Sequence, residues 1–94
     1  MIIRWLDDAV DDLRSLRQYI SQENTTAAAK IVKKILNFID MLSEQPGIGR
    51  PGRVLNTREL IISGTPYIVP YRVKNNVVEI LRVFHCSMLW PESI

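Results

Sequence analysis

Hydrophobic positions recur along this chain with two different periods, and the change between them divides it in two. Leu6, Ala9, Val10, Leu13, Leu16 and Ile20 fall at helical spacing. Ala28, Ile31, Ile35, Phe38, Ile39 and Leu42 do the same, with Val32 and Leu36 widening the second stripe. Each set predicts a helix with one buried face. Residues 21–26 interrupt them, and Asn24, Thr25 and Thr26 are each able to cap the second helix. Pro46-Gly47 sets its latest possible end. So short a polar connection predicts an antiparallel helical hairpin. From residue 57 onward the period is that of strands. Three runs rich in β-branched and aromatic residues, at 59–62, 67–73 and 77–84, are separated by turn residues at 63–66 and 74–76. Two short connections in succession predict a three-stranded antiparallel meander. Residues 2–5 are short and apolar, and predict an edge strand contributed from the other end of the chain. The expected fold is α+β, an N-terminal helical hairpin packed on a small antiparallel β-sheet, in a single domain over residues 1–94.

The hairpin can be read further. A two-residue turn at Asn75-Asn76 pairs Val73 with Val78, Arg72 with Glu79, Tyr71 with Ile80 and Val69 with Arg82. One face then gathers Val69, Tyr71, Val73, Val78, Ile80 and Phe84, and is expected to pack on the helices. The other gathers Ile68, Pro70, Arg72, Glu79, Leu81 and Val83. Arg82 is out of place on the helix-facing side. Either it lies at a strand end with its head in water, or the register slips by one there. The second face is too apolar for a solvated surface, and the chain is too short for a third layer. It is expected to stay partly open and to mark a partner site.

Composition narrows the class. With 47% hydrophobic and 23% charged residues the chain is an ordinary globular one. No apolar run approaches a membrane span, and Asp7 and Asp8 interrupt the start too early for a signal peptide. One cysteine, Cys86, excludes an internal disulfide and suits a reducing compartment, so a cytoplasmic location is expected. One cysteine and one histidine make no zinc site, and no cofactor is expected. The net charge of +2 is uneven: residues 1–48 carry six Lys/Arg against seven Asp/Glu, and residues 49–94 carry six against three. Five of those last six are arginines, whose forks suit phosphate and carboxylate groups.

Several residues invite a chemical role. Asp7, Asp8, Asp11 and Asp12 form pairs four apart, but no third metal ligand is near; their place near a helix start explains them as a capping cluster. The loop 47–53 has neither Walker nor dinucleotide spacing, and reads as a connection with arginines on its rim. Histidine is the residue type suited to proton transfer near neutrality, which makes His85 a candidate, although a lone histidine at a strand end is more often structural. Its neighbour Cys86 points away from it on an extended chain, which argues against a nucleophile pair. Trp90-Pro91 reads as an anchor for the C-terminus.

Trp5 with Ala9 and Asp12-Leu13, then Tyr19-Ile20 and the loop from Pro46 to Gly52, carry a family likeness together. It continues through Thr57-Arg58-Glu59-Leu60, Pro66-Tyr67-Ile68-Val69-Pro70-Tyr71-Arg72-Val73, Val78-Glu79-Ile80-Leu81-Arg82-Val83-Phe84-His85 and Trp90-Pro91. Nearly end to end, the chain resembles the ParE/RelE superfamily, the toxin components of bacterial type II toxin–antitoxin modules. The resemblance implies a helical hairpin on a small antiparallel sheet. It also implies one of two activities. RelE-like members are ribosome-dependent endoribonucleases that cleave messenger RNA with a set of basic residues and often a C-terminal tyrosine. ParE-like members inhibit DNA gyrase, trapping it on cleaved DNA. Aligned on Tyr67 and Tyr71, Ile68 stands where the ribonucleases carry a catalytic arginine. Phe84-His85-Cys86-Ser87 stands where they carry a basic pair, and no tyrosine follows Tyr71. The resemblance therefore favours the ParE-like side, with DNA gyrase as target; the alternative, the ribosome and mRNA, would rest on Arg72, Arg82 and His85. Either way it implies a cognate antitoxin whose C-terminal segment folds on the toxin. Ile68, Pro70, Arg72, Leu81, Arg58 and Trp90, or the groove between helices and sheet, are the expected contacts.

Overall fold

The computed structural model describes residues 1–87. Helix α1, Asp7–Ser21, starts at Leu6, which has no capping side chain; its N–H instead donates to the Ile80 carbonyl at 3.0 Å and moors the helix to the sheet. Asp7 and Asp8 occupy the first turn, where the helix dipole favours them. Helix α2, Thr25–Asp40, is capped by Asn24, whose side chain accepts from the Ala27 N–H at 2.9 Å. A 3-10 turn at Met41–Ser43 closes it, and the N-terminal ammonium donates to the Ser43 carbonyl at 3.0 Å. Among the described residues no helix is long and apolar enough to cross a membrane.

The six-stranded sheet comprises β1 (Ile2–Trp5), β2 (Arg50–Pro51), β3 (Arg58–Ile61), β4 (Tyr67–Lys74), β5 (Val77–Ile80) and β6 (Phe84–His85). The order is β1-β5-β4-β3-β2, with β6 also on β4. The meander is antiparallel as expected; β1 joins it from the chain's other end, parallel to β5. Asn75 and Asn76 both have positive φ, 52° and 61°, as a two-residue hairpin turn of this hand requires. The pairs Val73↔Val78, Arg72↔Glu79 and Tyr71↔Ile80 follow.

The pairing of Val69 with Arg82 does not. Tyr71 stands opposite Ile80 but Ile68 stands opposite Phe84, so one extra residue is inserted between β5 and β6. Pro70 is the reason. Its carbonyl accepts from Leu81 N–H at 3.0 Å and Arg82 N–H at 3.5 Å, so its ring nitrogen faces the same neighbour and offers that side no donor. The ladder breaks there as a bulge. The slip exchanges two assignments: Val83 joins the helix-side core, and Phe84 lies outside it, beside Ile68.

That core gathers Ala9 and Leu16 of α1, Ile35 and Ile39 of α2, Leu42, and the sheet residues Leu60, Val69, Tyr71, Val78 and Ile80, with Ile3, Trp5, Ile31 and Phe38 partly buried against it. The loop between helices and sheet is tied to Tyr71, whose hydroxyl donates to the Pro46 carbonyl at 2.7 Å and accepts from the Gly49 N–H at 2.9 Å. A Cβ at Gly49 would stand 2.6 Å from that ring, so only glycine fits. The second face departs from expectation. Ile68, Pro70 and Leu81 are buried, not open, with Leu81 at 2% exposure. At the bulge the Leu81 N–H donates to the Pro70 carbonyl and Phe84 stands opposite Ile68, where an open strand pair was expected. Around them runs a charged ladder: Arg4 and Arg72 both bind the buried Glu79, and Arg50 binds the buried Glu59 at 2.9 Å.

Candidate functional site

A cleft of about 440 Å³ opens between α1 and the end of the sheet. Helix periodicity brings Asp12, Ser15, Leu16 and Tyr19 to one side of it; Tyr67 of β4 and Val83, His85 and Ser87 form the other. Tyr19 stands at its rim, 73% exposed. The Tyr67 ring meets the His85 imidazole edge to face, 5.5 Å between centroids. Burial pushes the Tyr67 phenol above its ordinary pKa, and the nearby Tyr19 adds to the shift. His85 Nδ1 accepts from the Ser87 N–H at 3.1 Å and lies 2.7 Å from the Ser87 hydroxyl. Because a backbone N–H can only donate, the neutral ring carries its proton on Nε2.

Asp12 holds the floor of the cleft. Its carboxylate accepts from Arg82 Nε at 2.7 Å, Arg82 Nη2 at 3.1 Å and the Val83 N–H at 2.9 Å. It thereby satisfies the backbone donor that the bulge released. The Arg82 guanidinium also lies over the Phe84 ring at 4.6 Å, and Asp12 raises its pKa. Of the two alternatives for Arg82 the structure shows the slip by one residue, with its head on a carboxylate and not in water; Asp12 is a clamp, which corrects its expected place in a capping cluster.

Arg72, Arg82 and His85 are not brought together. Arg72 donates to Glu79 at 2.6 Å, and β4 carries it five residues beyond Tyr67, opposite which His85 sits. At 3.3 Å per residue that is about 16 Å. Arg82 is turned onto α1. Arg58 donates to the Gly49 carbonyl at 2.8 Å and supports the loop. Glu79 is held below the usual carboxylate range by hydrogen bonds from Arg72 and then Arg4. Of the expected partner contacts, Arg72 and Arg58 reach the surface; Ile68, Pro70 and Leu81 are closed off within the chain; Trp90 lies outside the described residues. Sequence reasoning missed Tyr19, Tyr67 and Ser15 as cleft residues. A signal existed for one of them: Tyr19 lies three positions after Leu16, at the edge of the α1 stripe. Among the described residues no cluster of three or more His, Cys, Asp or Glu side chains could hold a metal ion.

The model of the ParE toxin family, described as the ParE toxin of the type II toxin–antitoxin system parDE, matches residues 3–90. The chain therefore belongs to this family of type II toxins, within the ParE/RelE superfamily. It is 43% identical over 92 residues to Y4kP of Sinorhizobium fredii, named as a toxin, covering 98% of this chain and 95% of that one. Among solved structures it is similar to the chromosomal ParDE toxin–antitoxin system of P. aeruginosa, with 30% identity, a TM-score of 0.81, and coverage of 90% of this chain and 95% of that one. It is also similar to the RelBE2 toxin–antitoxin complex of Mycobacterium tuberculosis, with 28% identity, a TM-score of 0.68, and coverage of 89% and 95%.

Proposed function

We propose that this toxin acts in the cytoplasm on DNA gyrase and is silenced by a cognate antitoxin. The observation that carries this reading is the state of position 68. The resemblance puts Ile68 where ribonuclease-type relatives need a cation, and here that residue is apolar and buried at 6% exposure, with Phe84 opposite it. Cleavage of a phosphodiester needs cationic groups aimed at the developing charge. Arg72 and Arg82, the arginines on which cleavage would rest, are instead bound to Glu79 and Asp12. A toxin that works by occupying a protein target needs no such group.

The antitoxin reading follows from the same geometry. The sheet's second face is closed, so the cleft under α1, with Tyr19 exposed at its lip, is the place for a segment that folds on binding. A second reading, ribosome-dependent mRNA cleavage, draws on one observation: the same cleft brings His85, Tyr67, Tyr19 and Ser87 together. The test adds the purified toxin to gyrase and relaxed plasmid. Loss of supercoiling, restored by the antitoxin and unchanged by His85→Ala, is the expected result. Gyrase activity unaffected by toxin in molar excess refutes the proposal.

A further inference from the structure

At the opposite end of the sheet from the cleft lies a second groove, of about 620 Å³, between the β2–β3 loop and the β4–β5 hairpin. It is lined by Pro51, Asn56, Thr57, Arg58, Arg72, Val73 and Lys74. Three of these seven are cations and none is an acid. Two of the three, Arg58 and Lys74, have no carboxylate partner among the described residues. Arg58 is held by the carbonyls of Gly47 and Gly49, which orient the guanidinium without neutralising it. Arg72 shares Glu79 with Arg4, so one carboxylate serves two arginines. Lys74 has no ion-pair partner among the described residues and stands beside the Asn75-Asn76 turn. Asn56, on a left-handed backbone at φ 65°, adds a neutral amide to the lining.

We propose that this groove binds the phosphodiester backbone of duplex DNA. Arg58 and Lys74, neither of them on a carboxylate, stand beside a neutral amide as in the usual backbone contact set, and Arg72, ion-paired to Glu79, adds only to the field around them. Among the described residues the lining contains no aromatic side chain, so they offer no platform on which unpaired bases would stack, which single-strand recognition relies on. The groove lies on the half of the chain that carries the positive excess. The proposal rests on the gyrase reading for its setting: the toxin would contact the DNA segment that gyrase holds while its cleft is free for protein.

The test is fluorescence anisotropy of the full toxin with a labelled 20-base-pair duplex of arbitrary sequence between 50 and 200 mM salt. Two phosphate contacts, from Arg58 and Lys74, predict a slope of log K against log salt of about −1.8. Lys74→Gln is expected to reduce the slope by about 0.9 and to weaken binding several-fold at the lower salt. Lys30→Gln with Lys33→Gln, on exposed positions of α2, is expected to change neither. No duplex binding at 50 mM salt, binding indifferent to Lys74→Gln, or an equal loss from the α2 pair overturns the proposal. Tighter binding of the single strands or of an RNA duplex of the same length overturns it as well. Gyrase capture in the absence of DNA reads the other claim separately. Lys74→Gln should still be captured while DNA trapping falls; a toxin that gyrase does not capture refutes the gyrase reading and leaves the anisotropy result to judge the groove.

Discussion

Replacing Asp12 by alanine should loosen the whole end of the sheet. The carboxylate accepts three hydrogen bonds, two from Arg82 and one from the Val83 N–H, and it lies on α1 while its donors lie on the bulge. Its removal strands a backbone donor and leaves a guanidinium without its partner. Breaking a fully buried pair costs about 3–5 kcal/mol. Here the side chains of Arg82 and Asp12 retain 25% and 19% exposure, so water recovers part of that loss. The expected cost is about 2–3 kcal/mol, which for a domain of this size lowers Tm by about 8–24 °C. Asp12→Asn keeps an acceptor for the Val83 N–H and should cost about 1 kcal/mol. Asp11→Ala removes a neighbouring charge with no such partners and should stay within about 0.5 kcal/mol. Urea unfolding followed by circular dichroism reads all three. If Asp12→Ala matches Asp11→Ala, or Asp12→Asn costs as much as Asp12→Ala, the clamp does not hold the bulge.

Three further changes bear on the fold. Glu79 has its folded-state pKa depressed by Arg72 and Arg4, so its contribution is fully present above the ordinary value of 4.5 and is lost as pH falls through the depressed one. The urea midpoint of the wild type should therefore drop more steeply below pH 4.5 than that of Glu79→Gln; parallel acid limbs would count against the ladder. Tyr71→Phe removes the hydroxyl that joins Pro46 and Gly49 and should cost about 1–2 kcal/mol, with proteolysis at the 47–53 loop rising in step; an unchanged midpoint contradicts that role. Leu81→Asp buries a carboxylate at a site with 2% exposure, so it should unfold the domain and not merely weaken a partner, and a native melting curve would show the second face to be open after all.

Much of this structure was legible in the chain because the deciding signals are local. The α2 stripe, the Asn24 cap and the Asn75-Asn76 turn each depend on residues within a few positions of one another, and the hairpin register followed from the turn. The bulge was legible in principle: Pro70 in a strand with neighbours on both sides signals a break in the ladder, and the misfit of Arg82 was its visible symptom. What fills the break could not be read, because Asp12 is seventy residues from Arg82 and looked like three neighbouring aspartates. A groove between helices and sheet was expected, but the same non-locality hid which residues form its two walls, from α1 and from the chain after Pro66. Burial of Ile68 and Leu81 was missed because an alternation pattern assigns a side chain to a face without saying whether that face is covered.

The central claim is the target. The most direct test incubates the wild-type toxin, and in parallel His85→Ala, with gyrase and supercoiled plasmid, beside ribosomes translating a defined transcript. Linear DNA that depends on gyrase, an intact transcript, and the same outcome for His85→Ala are the predicted results. Transcript cleavage with the plasmid untouched, abolished by His85→Ala, would contradict the account and make the α1 cleft a ribonuclease site.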